Sequence, residues 1–99
     1  MDKIFFKVVK ILQFETETTE FELLHDKHEE YVNYRILLIQ ALRKLGYSDK
    51  AIADKLGFTR QGVCWLRNQF AHRIKHRYTL ANHWKEIDKQ LLELSNDSH

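Results

Sequence analysis

The 99-residue chain has no proline, three glycines and one cysteine. An all-β fold consumes turn-formers in quantity, so their scarcity points to helices joined by short connections. With Cys64 alone no intrachain disulfide can form, which fits a reducing compartment. No apolar run approaches the ~20 residues of a membrane-spanning helix. The first 14 residues interrupt their apolar positions with Lys3, Lys7 and Lys10, unlike a signal peptide. Glycine-rich phosphate loops, Cys-x-x-Cys and His-Glu-x-x-His are all missing. The expectation is a cytoplasmic protein that is not an enzyme, needs no cofactor and has no evident small-molecule substrate.

What is present is enough for one domain: 43% of residues are apolar and 12% aromatic. The net charge of +2 conceals a segregation. Residues 1–34 hold four lysines against eight acids, and residues 86–99 one lysine against four. Residues 35–85 hold eleven Lys/Arg against Asp49 and Asp54. A block of this kind is the electrostatic footprint of phosphate binding.

Residues 1–25 form an N-terminal segment that reads two ways. Ile4, Phe5, Val8, Val9, Ile11 and Leu12 have helical spacing. The β-branched and aromatic content also allows a strand paired with residues 20–24, hence a hairpin. The helix is the favoured reading. Thr19 with Glu22 can cap a short following helix. Residues 26–95 form the main domain. Asp26-Lys-His-Glu29 reads as a capping box opening a long helix with Tyr31, Tyr34 or Arg35, Leu38, Leu42 and Leu45 inward, ended by Gly46. Thr79 caps a last helix whose stripe is Leu80, Trp84, Ile87, Leu91 and Leu94, and the tail Ser95–His99 frays. The fold class is all-α, with about five helices.

Residues 49–68 carry the densest information. Ser48 caps a helix to Leu56, Gly57 can take the positive φ that turns the chain, and Thr59 caps a second helix. Ile52, Ala53, Leu56, Phe58, Val63 and Leu66 point into the angle between the two, with Ala53 small because the second helix crosses over it. This is the pattern of a helix-turn-helix. Gly62 costs the second helix about 1 kcal/mol relative to alanine, for close approach of either another helix or a ligand.

Phe58-Thr-Arg-Gln-Gly-Val63, preceded by Ala51-Ile-Ala-Asp-Lys-Leu-Gly57, resembles the helix-turn-helix of bacterial and phage repressors, resolvases and sigma-factor promoter-reading domains. The order of long helix, motif, basic continuation and closing helix is similar, more loosely, to the C-terminal DNA-binding domain of the bacterial replication initiator. Where that family carries Asp-His-Ser/Thr-Thr-Val, this chain has Thr59-Arg-Gln-Gly-Val63, without the Asp-His pair. The resemblance implies that the recognition helix, about 59–70, lies in the major groove of double-stranded DNA. Arg60, Gln61, Cys64, Trp65 and Asn68 would then face base edges, with Arg60 suited to guanine and Gln61 to adenine. Thr59, Arg67, Arg73, Lys75, His76 and Arg77 would meet phosphate, and Arg43, Lys44, Lys50 and Lys55 the opposite backbone. Five such contacts would give a log–log salt slope of about −4 to −5.

The implied role is a small transcriptional regulator, or an accessory protein encoded by a phage or mobile element. The alternatives are a replication-initiator-like or DNA-packaging (small terminase) component, or a protein-interaction module on the same scaffold. His72 and His76 have zinc-ligand spacing, with His83 or Cys64 as a third donor, but solvation or phosphate contact is the favoured reading and no metal is expected. Cys64 and His72 are too far apart along a helix for a nucleophile pair. One recognition helix spans too few base pairs for a unique site, so a homodimer is expected. Its contact is either the N-terminal stripe Ile4, Phe5, Val8, Ile11, Leu12 or the C-terminal stripe flanked by Leu92.

Overall fold

The N-terminal segment is helical and belongs to the core. A computed structural model describes residues 3–97, with side chains through residue 94. Among these there are six helices and no strand: α1 (Lys3–Thr16), α2 (Glu20–His25), α3 (Glu29–Lys44), α4 (Asp49–Leu56), α5 (Arg60–His76) and α6 (Tyr78–Asp97). None is long and apolar enough to cross a membrane.

α1 buries Phe5, Val8, Val9 and Leu12, a stripe at helical spacing, against α3 and α6. α6 answers with Leu80, Ile87 and Leu91, while Trp84 and Leu94 pack half-buried on the same core. Most of both stripes considered for a dimer contact is therefore taken up inside the domain; Ile4, Ile11, Trp84 and Leu94 stay half-buried at its edge, and Leu92 is exposed.

α3 is the axis of the fold and packs on all five other helices. Ile36, Leu37, Leu38 and Ile39 are consecutive and wholly buried, so α3 is enclosed on every side. Burying each such side chain contributes about 1.5–3 kcal/mol. Arg35 sits on the same helix at its α2 side. Its Nε donates to the Leu23 carbonyl at 2.9 Å, and Nη2 donates to the Asp26 carbonyl at 2.8 Å and the Glu22 carbonyl at 3.3 Å. These are carbonyls at the end of α2, where the helix runs out of its own N–H donors; the Glu22 carbonyl also accepts from Asp26 N–H at 3.3 Å. Burial lowers the guanidinium's proton affinity, opposed by the nearby Asp26 charge.

The Thr19–Glu22 capping box forms as expected: the Thr19 hydroxyl accepts from Glu22 N–H and the Glu22 carboxylate accepts from Thr19 N–H. The expected box at Asp26–Glu29 does not. Asp26 Oδ1 accepts from the His28 backbone N–H at 2.9 Å and pairs with His28 Nδ1 at 2.6 Å, and α3 starts one residue past His28 without a side-chain cap. The turn after α3 places Gly46 at φ +100°. Thr79 does not cap the last helix either. Only Arg77 separates α5 from α6, and its carbonyl already accepts from Ala81 N–H, which puts Thr79 inside the helix. Helix continues through Ser95 to Asp97, where fraying was expected; residues 98–99 lie outside the described residues.

Candidate nucleic-acid interface

α4 and α5 are joined by Gly57, Phe58 and Thr59. Ser48 Oγ accepts from Ala51 N–H at 3.1 Å and starts α4. Gly57 ends it in the left-handed region, φ 73° and ψ 26°, with its N–H donating to the Ala53 carbonyl. Phe58 N–H donates to the same carbonyl at 2.9 Å. Thr59 Oγ1 then accepts from Gly62 N–H at 3.0 Å and opens α5. Ile52, Ala53, Leu56, Val63 and Leu66 are buried between the helices and α3, with Phe58 half-buried beside them. Gly62 has a local cause. A Cβ there would stand 3.0 Å from Thr59 Oγ1, so the glycine leaves room for the cap that starts its own helix.

α5 buries only Val63 and Leu66. Its outer side presents Arg60, Gln61, Trp65 and Asn68 exposed and Cys64 half-exposed; Gln61, Cys64, Trp65 and Asn68 form one stripe at i, i+3, i+4 and i+7, with Arg60 beside it at the helix start. His72 extends the stripe by a turn. Trp65 is 51% exposed yet not loose, because the Arg73 guanidinium lies 5.9 Å from its ring centre. Arg67 Nη2 and Asn68 Nδ2 both reach the Cys64 sulfur at 3.6 Å. Donors, an acceptor amide and an aromatic face thus share one outward strip.

The cations divide into two groups. Arg67 Nε donates to Asp49 Oδ1 and Oδ2 at 3.1 and 3.2 Å, tying α5 to the start of α4. That hydrogen bond, with the carboxylate's charge, holds the guanidinium above its ordinary value. Arg43 approaches the same carboxylate at 3.6 Å and donates to the Tyr47 carbonyl. Lys44 pairs with Asp88 on α6. Arg73 donates to Asn33 Oδ1 at 2.7 Å, and Glu29 takes Arg77 at 2.8 Å and Arg73 at 3.5 Å. Lys55 lies over the rings of Phe5 and Tyr47. Lys50, Arg60 and Lys75 are exposed and have no ion-pair or ring partner among the described residues.

Thr59, besides capping α5, is exposed at the helix start beside Arg60. His72 and His76 bring their rings to 4.5 Å at the far end of the stripe. Among the described residues no cluster of three His, Cys, Asp or Glu side chains is arranged to hold a metal. The long-range acids Asp49 and Glu29 and the amide of Asn33 escaped sequence reasoning. The only available signal was that Asp49 is one of two acids in a basic block. Searches among protein families, curated proteins and solved structures found no match to this chain.

Proposed function

We propose that this protein binds double-stranded DNA sequence-specifically, laying the outer stripe of α5 in the major groove, and acts as a small transcriptional regulator or mobile-element accessory protein. One observation carries the reading. The stripe Arg60, Gln61, Cys64, Trp65, Asn68 faces outward from a helix whose other side is fixed by the α3–α4 core and by the Arg67–Asp49 bond. A rigid helix presenting hydrogen-bonding side chains at successive turns is what base-edge readout requires. Arg60 at the start of α5 and Lys50 on α4 stand beside two helix N-termini, whose free N–H groups favour phosphate. Lys75 extends the grip at the far end.

The ion pairs change the expected strength of that grip. Arg67, Arg73 and Arg77 must leave carboxylates to meet phosphate, whereas Lys50, Arg60 and Lys75 need not. With Arg60 in the reading stripe, the two uncommitted cations at the margins, Lys50 and Lys75, give a log–log salt slope of about −2, shallower than the basic block alone implies. Fluorescence anisotropy with mixed-sequence duplex at low and moderate salt measures it. A folded protein that fails to bind at low salt contradicts the proposal. The half-exposed Trp65 at the centre of the stripe favours a second reading, a docking face for another protein, and that reading predicts no such salt dependence.

A further inference from the structure

α1 has an outer face as well as an inner one. It carries Lys3, Phe6, Lys7, Lys10 and Phe14, all exposed, and Glu17 follows just beyond the helix end. Phe14 is 82% and Phe6 49% exposed, and both belong to one contiguous apolar patch with Ile11 and Leu94. Beside them, between α1 and α6, runs an open groove of about 430 Å³ with Phe6, Ile11, Phe14 and Leu94 as its apolar lining.

Two features of this face specify its partner. The first is its symmetry. Phe6 and Phe14 stand four residues to either side of Lys10, and Lys3 and Glu17 seven. An antiparallel pair of such helices with its two-fold axis at Lys10 sets Phe6 of one copy against Phe14 of the other, and Lys3 against Glu17. The Phe6 and Phe14 offsets match at about 6 Å along the helix, and Glu17, in the left-handed turn at φ 54° just past its end, lies at the same seven-residue sequence distance from Lys10 as Lys3. A two-fold contact demands this self-complementarity. Lys10, which the axis would bring near its own twin, has its Nζ drawn back over the Phe6 ring at 5.2 Å.

The second feature is a charge order that opposes the helix dipole. Asp2 precedes α1 in the sequence, but the described first turn has no acid and the last turn no base; Glu17 stands exposed just past the helix end, and Glu15 there is paired with His83 of α6 at 3.2 Å. A solitary helix is stabilised by the reverse arrangement. An antiparallel copy supplies the missing complement by laying its acidic end beside the basic start.

We propose that α1 is a homodimerisation helix, its outer face packed antiparallel on the same face of a second copy, with each Phe14 seated in the other copy's α1–α6 groove. α1 packs on α2, α3 and α6, while α5 packs on α3, α4 and α6. The pairing therefore leaves both α5 stripes uncovered. The dimer deepens the DNA-binding proposal by supplying a second reading helix. It is measured without DNA, so the two can fail separately.

Sedimentation velocity of the full chain, free of DNA and at up to about 100 µM, should show a dimer. Phe14→Glu should raise the dissociation constant by at least about tenfold. Because Phe14 lies outside the core, that variant should melt like the parent. Lys3→Glu and Glu17→Lys should each weaken the dimer, and the two together should restore it. A chain that stays monomeric across this range overturns the proposal. So does a dimer indifferent to Phe14→Glu, or a double reversal no tighter than either single change.

Discussion

α3 and α5 are nearly equal in length, 16 and 17 residues, and pack against each other. α3 buries eight side chains, including Asn33 and Arg35; α5 buries two. The difference lies in how many neighbours each helix has. Five helices surround α3, so even its polar residues are turned to structural use: Arg35 closes α2 and Asn33 receives Arg73. α5 is held along one side and from its ends, which leaves a full stripe of hydrogen-bonding side chains outward. One helix is the scaffold and the other is what the scaffold presents.

The largest effect that can break this contrast is on stability. Leu38→Ala, in the enclosed helix, should cost about 2–5 kcal/mol. Gln61→Ala, on the presented stripe, should stay within about 0.5 kcal/mol. Chemical denaturation of both variants measures the gap, and comparable losses would dissolve the distinction.

Gly57 links the scaffold to the presented helix. A Cβ there meets nothing within 4 Å, so any cost of substitution is backbone strain and not crowding. Gly57→Val should lose about 2 kcal/mol or more, while Gly57→Asn, which tolerates the left-handed region, should lose much less. Thermal melts of the pair separate the two causes. Equal losses would mean that the positive φ is not what this turn demands.

A smaller effect sharpens the scaffold side. The Glu22 carboxylate accepts from Thr19 N–H at 2.9 Å and from the Tyr31 hydroxyl at 3.1 Å, and these bonds, the first foremost, hold it below its ordinary value of 4.5. A depressed folded value means that the cap's contribution is whole above the ordinary carboxylate range and disappears as pH falls through the folded value. Amide exchange in α2, corrected for intrinsic rates, should therefore be less protected near about pH 3 than at neutrality. Glu22→Gln should remove part of that dependence, and an identical profile in the variant would deny the box its role.

The α4–turn–α5 unit was legible in the sequence because every determinant is local: Ser48, Gly57 and Thr59 act on residues within five positions. The stripe of α6 and the box at Thr19 were legible for the same reason. The enclosure of α3 was not, since the polar residues among its apolar ones read as a single stripe and conceal that five neighbours surround it. Nor were the cation partners. Asp49 lies 18 residues from Arg67, and Glu29 48 residues from Arg77, so a count of charges treats as free what the fold has paired. Asp26 defeated its capping pattern because His28 offered it both a backbone and a ring nitrogen at closer range.

In the proposed function the outer stripe of α5 reads bases while charges at its margins only grip. The most direct measurement titrates Gln61→Ala and Lys75→Ala against two duplexes, a preferred site selected from random sequence and an unselected one. Gln61→Ala should lose about 1–3 kcal/mol on the preferred site and little on the other, whereas Lys75→Ala should weaken both alike. If Gln61→Ala leaves the discrimination between the two duplexes intact, α5 does not read DNA through this stripe.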